Sequence, residues 1–213
     1  MAQAGLHGLV GVAVRRWTPR RKWLLLGIVL GNLLPDADNL AVAVATVTGG
    51  STEGLHRTFT HSLFFVLALV IVFWLAGVVA KRPSTTNLGL GLGIGVLMHI
   101  LLDLLIWFNG VDIVWPLASW VNLWEGVTPP EMLFFAAYFY WLAHTAQQQG
   151  TNLDKARSVR VWTAVQLILF LIFTVLVYTL NSGFMTIYGR IYLLTLIVAA
   201  VLTIQMRKTI EHW

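Results

Sequence analysis

The sequence has 213 residues, 58% of them hydrophobic, and it contains no cysteine. Soluble domains are about 45–50% apolar, so the composition indicates an integral membrane protein, and the lack of cysteine excludes disulfides and thiolate metal sites. The formal net charge of +5 does not indicate nucleic-acid binding, because the basic residues fall in short loops between apolar segments, where they act as topology anchors.

The first apolar segments are short and are interrupted by polar turns. Gly5–Val14 has ten residues and would span only about 15 Å as a helix, which predicts a half-span or a short tilted helix. Trp23–Leu34 stops at Pro35, and Leu40–Val47 is again short before two glycines that indicate a loop. These interruptions predict helices that are short or broken.

The later apolar segments are longer. Ser62–Ala80 and Leu88–Phe108 have the length of full membrane spans, and the glycines early in the second would let a neighbouring helix pack closely. Residues 111–131 are rich in tryptophan and predict an interfacial belt. Three further segments are apolar: Met132–Ala143, Val161–Leu180 and Ile187–Ile204.

We therefore predict an all-α, polytopic transmembrane bundle of about six to seven helices. The whole chain, 1–213, is expected to form one membrane domain, with a metal-site core in 5–120 and additional helices in 131–206. The loops 15–22, 81–87 and 147–160 and the tail from 207 contain 12 of the 14 basic residues: Arg15, Arg16, Arg20, Arg21, Lys22, Lys81, Arg82, Lys155, Arg157, Arg160, Arg207 and Lys208. The positive-inside rule places these segments in the cytoplasm, with the N-terminus outside and the C-terminus inside.

This topology brings polar residues of four segments to one layer near the outer membrane surface. At a rise of about 1.5 Å per residue, Asp36, His61 and His99 lie at similar heights, and His7 joins them if its short helix tilts. Ionisable side chains are costly within apolar segments, so their presence favours a functional role.

His99 and Asp103 form an H-x-x-x-D pair. Residues four apart share one face of a helix, so the imidazole and the carboxylate can hold one metal together. The alternative is a buried ion pair, or a histidine that is hydrogen-bonded inside the bundle.

Asp36 and Asp38 follow Pro35 at a break between apolar segments. We expect an extended turn there, in which alternate residues point the same way and the two carboxylates flank a metal. The alternative is an ordinary loop with solvated aspartates.

The stretch His56-Arg57-Thr58-Phe59-Thr60-His61 precedes a full span. The two histidines can converge only if His56 lies in the loop before the helix and Thr58 or Thr60 caps that helix. Arg57 is one of only two basic residues predicted outside, and it can clamp an anionic group bidentately or bind lipid headgroups.

Together these motifs resemble the YdjM-like family of membrane-bound proteins classed as metal-dependent hydrolases. The resemblance rests on Leu34–Asp38, His56–Ser62, His99–Asp103 and the following Trp115-Pro116, with His7 similar to the family's N-terminal histidine. It covers roughly residues 5–120. Asn39 departs from the pattern, because members often have a histidine after the second aspartate.

The resemblance implies a helical membrane protein with a His/Asp metal centre. The order of these residues is also similar to that in the zinc-dependent phospholipase C and nuclease group, in which an H-x-x-x-D helix holds clustered zinc ions. The candidate ligands are His7, Asp36, Asp38, His56, His61, His99 and Asp103. Nitrogen and oxygen ligands suit zinc or manganese, and seven of them exceed one tetrahedral zinc, so we expect one or two ions.

We therefore expect a metal-dependent hydrolase of a prokaryotic cytoplasmic (inner) membrane, with its site open to the outer leaflet. Asp36 or Asp38 would accept a proton, and Arg57 would bind phosphoryl oxygens. The expected substrate is a phosphate ester of a lipid or lipid-linked molecule, with no nucleic-acid partner.

Three alternatives remain open. A carboxylic ester or amide hydrolase would use the same kind of metal centre. A transporter would carry a polar site near the membrane midplane, although such folds usually have two related halves and the sequence has no internal repeat. A structural membrane protein would use the polar cluster only to pack its helices.

Overall fold

The structure is a computed structural model that describes residues 4–107, 111–117, 120–121, 131–179 and 184–212. Three 3-10 turns lie within these ranges, at Val14–Trp17, Pro35–Asp38 and Phe59–His61. The predicted all-α class is confirmed, since the described residues are mainly helical. Their α-helices are α1 (Ala4–Ala13), α2 (Leu24–Leu33), α3 (Asn39–Thr48), α4 (Leu63–Val79), α5 (Pro83–Leu102), α6 (Glu131–Gln149), α7 (Leu153–Thr179), α8 (Phe184–Gln205) and α9 (Arg207–Glu211).

Helix α5 is the centre of the site-bearing half because glycines on two of its faces admit α2 and α4. A Cβ at Gly91 or Gly95 would collide with the backbone of α2, and one at Gly89 would collide with Phe73 of α4. The predicted close packing is therefore confirmed. Because residues four apart share a helix face, His99 follows Gly91 and Gly95 on the face that meets α2.

Three stretches are long and apolar enough to cross a membrane, by length and composition. They are Leu24–Thr46, which joins α2 and α3 across the 3-10 turn, Pro83–Leu105 and Leu153–Phe173. Helix α4 and Arg190–Gln205 of α8 are shorter and apolar. Many large apolar side chains on these helices are exposed, as expected for surfaces that face lipid. The number of crossings and their orientation stay predictions.

A continuous apolar core joins the early helices to the late ones. Phe135, Tyr138 and Phe139 of α6 are fully buried and belong to one cluster with residues of α1, α2 and α8. A Cβ at Gly5 of α1 would collide with the backbone of α6, so these two helices also meet closely. The described residues of 131–206 thus pack against the early helices α1 and α2.

The segment after α5 returns to the histidine loop. Val111–Asp112 (β1) pairs antiparallel with Trp120–Val121 (β2), and Asp112 N–H donates to the Arg57 carbonyl at 2.9 Å. In the predicted interfacial belt, Trp115 is partly exposed and packs edge-on against Phe59. Trp124, also in this belt, lies outside the described residues.

Candidate metal centre

The H-x-x-x-D pair lies at the end of α5, where the helix passes into a π-helical turn over Asp103–Trp107. His99 and Asp103 are both buried, and the His99 Nε2 lies 3.8 Å from Asp103 Oδ2. The other ring nitrogen of His99, Nδ1, lies 2.7 Å from the Asn32 carbonyl oxygen of α2. Since a carbonyl oxygen only accepts, Nδ1 carries the proton and a neutral His99 presents an Nε2 lone pair to the cluster.

The two aspartates after Pro35 point in different directions. The extended turn predicted there is wrong: residues 35–38 form a 3-10 turn with proline in its first position, where proline's fixed φ suits a helical start. At about three residues per turn, positions two apart diverge. Asp36 therefore turns into the bundle, and Asp38 turns toward the histidine loop.

Asp36 is held from the far end of the chain. Its Oδ2 accepts a hydrogen bond from the Tyr192 hydroxyl of α8 at 3.2 Å, and its Oδ1 lies 3.8 Å from His99 Nε2. The carboxylate is 1% exposed. A carboxylate this deeply buried is costly unless it is paired or coordinates a cation.

Asp38 organises the histidine loop. Its Oδ1 lies 2.7 Å from His56 Nδ1, and its Oδ2 accepts from Arg57 N–H and Thr60 Oγ1, each at 2.9 Å. The same Oδ2 lies 3.4 Å from His61 Nδ1. One carboxylate thus faces the Nδ1 atoms of both histidines and directs their Nε2 atoms elsewhere.

The start of α4 differs from the prediction in its capping residue. Ser62 is the N-cap, and its side chain accepts from Phe65 N–H at 3.3 Å. The prediction that Thr58 or Thr60 caps the helix is wrong, because these hydroxyls donate to the Gly54 carbonyl and to Asp38. His56 does lie in the loop before the helix, and its ring centroid is 5.6 Å from that of His61.

The cluster is closed by two imidazole nitrogens that face each other. His61 Nε2 and His99 Nε2 are 3.2 Å apart, while Nδ1 of each ring faces an acceptor, Asp38 or the Asn32 carbonyl. When the proton of each neutral ring is on Nδ1, both Nε2 atoms carry lone pairs; His61 Nε2 also lies 3.5 Å from Asp103 Oδ2. A cation between them removes the repulsion, and a proton on one ring is the other way to do so.

His7 completes the cluster from α1. Its ring stacks on His99 with centroids 3.6 Å apart, and its Nε2 lies 3.2 Å from Asp103 Oδ1. Two overlapping groups have ligand atoms that lie within 4.8 Å of one another: His7 with His99 and Asp103, and Asp36 with His61 and His99. All five residues are buried. This donor set of imidazoles and carboxylates fits zinc or manganese.

The remaining two predicted ligands lie beside this core. Asp38 has 8% of its side chain exposed and His56 has 25%, so both are nearer the surface. With Nδ1 of His56 facing Asp38, its buried Nε2 has no hydrogen-bond partner among the described residues. The structure thus brings five of the seven predicted ligands into the two groups and places Asp38 where it orients His56 and His61.

Arg57 lies over the cluster with its side chain 4% exposed. Its Nε is 3.8 Å from Asp103 Oδ2, and neither Nε nor Nη1 has a hydrogen-bond partner in the described part of the chain. Its backbone is left-handed, with φ of 63°, which costs an L-residue about 1–2 kcal/mol. The Asp38 and Asp112 hydrogen bonds hold the backbone of Arg57 in that conformation.

The sequence model of the YdjM inner membrane protein family matches residues 3–206. The chain belongs to this family. The YdjM match extends well past the motifs in 5–120 and includes helices α6, α7 and α8. No curated protein and no solved structure matches the chain.

Two residues of this YdjM protein were not predicted as part of the site. Tyr192 reaches Asp36 across 156 positions of sequence, and only its hydroxyl within an apolar span hinted at a role. Asn32 contributes its backbone carbonyl to His99, which no side-chain pattern could reveal.

Proposed function

We propose that this YdjM protein is a membrane-embedded, metal-dependent hydrolase that acts on a phosphate ester of a lipid or lipid-linked substrate. The observation that carries the proposal is the pair of facing Nε2 atoms of His61 and His99, 3.2 Å apart, with buried Asp36 and Asp103 beside them. Three imidazoles and two carboxylates at one buried point are costly for a protein to maintain without a cation.

His7, Asp36, His61, His99 and Asp103 would hold one or two divalent ions, with zinc favoured and manganese as the alternative. A bound divalent ion supplies Lewis acidity and a hydroxide nucleophile near neutral pH. Asp38 would orient His61 and His56 through their Nδ1 atoms, the role that carboxylates play behind metal-binding histidines in many proteins.

Asp36 is the better candidate for the proton acceptor. Asp38 already faces four partners in the histidine loop, whereas among the described residues the Asp36 Oδ1 lies 3.8 Å from His99 Nε2. A general base needs a free lone pair within reach of the water it deprotonates. Asp36 therefore takes the proton, and the Tyr192 hydroxyl holds the carboxylate in place.

Arg57 favours a phosphate ester over a carboxylic ester or amide. Two of its buried guanidinium nitrogens, Nε and Nη1, have no hydrogen-bond partner among the described residues, and a guanidinium matches the geometry of phosphoryl oxygens bidentately. These donors stabilise the negative charge that builds on the phosphoryl oxygens during the reaction. A carboxylic ester would make less use of a full positive charge.

An apolar groove beside the site supports a membrane-borne substrate. It has a volume of about 500 Å³ and is lined by residues of α2, α3, α4, α5 and α8 and by Leu34 and Ala37, which flank Pro35 and Asp36 in the chain. Leu193, which follows Tyr192, lines the same groove. A hydrocarbon chain lying in this groove would place its polar end at Asp36 and Arg57.

The positions of the His/Asp cluster and the basic loops at the ends of the helices support a site on the outer-leaflet side. His7 lies near the start of α1 and Arg15 follows its end, while Lys22 precedes α2 and Asp36 follows it. Lys81 likewise precedes α5, which ends at Asp103. The cluster and the basic loops are therefore at opposite ends, and the positive-inside rule assigns the cluster to the outside and the C-terminus to the cytoplasm.

The test measures metal and turnover separately. Protein purified without strong chelators should contain one or two divalent ions per chain, and His99→Ala and Asp36→Ala should each lose most of that metal while keeping the helical circular dichroism signal. His144→Ala is the control, because His144 is exposed and bonds only Gln148 among the described residues. Full metal content in both site variants would refute the metal centre.

Turnover is then measured in mixed micelles with phospholipids, polyprenyl phosphates and acyl esters. We expect release of phosphate or a phospho-headgroup that His61→Ala abolishes and Arg57→Ala lowers by about 10²–10³-fold. Release of fatty acid alone, with Arg57→Ala fully active, would identify an esterase. Bound metal without any turnover would favour a carrier or a structural protein.

A further inference from the structure

A second polar site lies at the other end of the bundle, away from the His/Asp cluster. A pocket of about 660 Å³ opens between the end of α1 and the last turns of α6. Its lining includes Arg15 and Arg16 of the first 3-10 turn and Arg20 of the following loop. The volume is in the range of small-molecule sites, and neither the cluster nor the proposed hydrolase uses these residues.

The pocket is cationic throughout. The described residues that line it include three arginines and no aspartate or glutamate. The nearby Glu211 faces away, because its two oxygens accept from the backbone N–H groups of Trp23 and Leu26 at the start of α2. Partial burial lowers the pKa of Arg15, and the neighbouring positive charge of Arg20 lowers it further. Like charges held this closely are stabilised by an anion.

Neutral donors on α6 complement the arginines. Thr145, which is nearly buried, and Gln148 line the same pocket. Gln149, with its amide oxygen turned to Arg15, accepts from both terminal guanidinium nitrogens at 2.9 and 3.0 Å. This contact fixes the plane of the Arg15 guanidinium, so that its orientation is set before any ligand binds.

The residues beside the pocket are of the types that occur at the level of lipid headgroups. Trp17, which follows Arg16, is 73% exposed, and Lys22 lies over the ring of Trp23 at 5.4 Å. Exposed tryptophans next to basic residues at the end of apolar helices are typical of the membrane–water interface. Basic pockets between membrane helices are suited to anionic headgroups.

We propose that the pocket formed by Arg15, Arg16, Arg20 and the end of α6 binds the phosphate headgroup of an anionic membrane lipid. The two or three guanidinium groups bind the phosphate oxygens, and Thr145 and Gln148 donate to the remaining headgroup oxygens. The lipid comes from the leaflet at the arginine-rich end of the bundle, opposite to the leaflet that supplies the hydrolase site. A soluble phosphate compound offers the same chemistry, and the test separates the two sources.

The experiment uses the full-length protein in detergent and native mass spectrometry to count retained lipids. Phosphatidylglycerol is titrated against phosphatidylcholine, for wild type, for Arg15→Gln/Arg20→Gln and for the matched control Arg82→Gln/Arg157→Gln. The control removes the same charge from exposed positions outside the pocket. We expect wild type and control to retain phosphatidylglycerol in preference to phosphatidylcholine, and the pocket variant to bind it at least tenfold more weakly.

Two further arms make the result specific. Thr145→Val keeps the charge and shape of the pocket and should measurably weaken phosphatidylglycerol binding. It tests the proposal even when the double variant fails to fold. Inorganic phosphate at millimolar concentration should not displace the lipid. Equal losses in the pocket and control variants, no loss in Thr145→Val, or displacement by inorganic phosphate would each overturn the proposal.

Discussion

Asp38→Asn tests how the site is built, because the Asp38 carboxylate contacts four residues of the histidine loop. Its carboxylate faces His56 Nδ1, His61 Nδ1, Thr60 Oγ1 and the Arg57 N–H at 2.7–3.4 Å. An asparagine offers one acceptor oxygen and turns an NH₂ group toward donors that now meet a carboxylate oxygen. At least one imidazole must then rotate or shift its proton to Nε2. The Nε2 of that imidazole then no longer presents a lone pair to a metal.

Loss of a carboxylate that orients metal-binding histidines typically lowers metal affinity 10–100-fold, which corresponds to about 1.4–2.8 kcal/mol. We expect Asp38→Asn to show a loss of that size in a chelator competition assay, with an unchanged helical circular dichroism spectrum. Asp154→Asn is the matched control, since Asp154 is exposed and forms an ion pair with the neighbouring Lys155. Wild-type affinity in Asp38→Asn would mean that Asp38 does not set the tautomers, and the argument from facing Nε2 atoms would fail.

Three further predictions concern packing, the last helices and topology. Gly31→Ala should lower the free energy of unfolding by about 1–3 kcal/mol, because its Cβ would collide with the α5 backbone. The control Gly50→Ala has room for a Cβ and should leave the free energy of unfolding unchanged, and thermal denaturation in detergent measures both variants. Tyr192→Phe removes the hydroxyl that donates to Asp36 and accepts from Ala4 N–H; loss of the Asp36 hydrogen bond, about 0.5–1.5 kcal/mol, should reduce turnover by up to about tenfold, and unchanged turnover would remove α8 from the site. A single cysteine at Ser51 should react with an impermeant thiol reagent in intact cells and one at Lys81 should not, whereas the reverse labelling would put the cluster on the cytoplasmic side.

The parts of the site that could be predicted are those with a local geometric signature. His99 and Asp103 are four apart on one helix, and their shared face follows from the helix period alone. The convergence of His7 and Asp36 with them followed from helix rise and the distribution of basic residues. The positions of these residues therefore follow from their sequence spacing and from helices that cross a membrane.

The parts that were missed depend on contacts that sequence spacing does not encode. The turn at Pro35 was predicted as extended, but proline also suits the first position of a helical turn, and the choice between the two depends on what surrounds the turn. Ser62 displaced Thr60 as the N-cap because Asp38 takes the Thr60 hydroxyl. Tyr192 reaches Asp36 only through the packing of α8 on the early helices.

The glycines of α5 explain how so polar a cluster fits inside apolar helices. The candidate ligand atoms of each group lie within 4.8 Å of one another, whereas ordinary helix packing keeps axes about 8–10 Å apart. Gly91 and Gly95 bring the α5 backbone against α2, and the same helix face then carries His99 and Asp103 one and two turns further along. The His99 ring can therefore reach the Asn32 carbonyl at 2.7 Å. The glycines that set the spacing of α2 and α5 thus also set the tautomer of His99. Helix packing and the chemistry of the site therefore depend on the same α2–α5 interface.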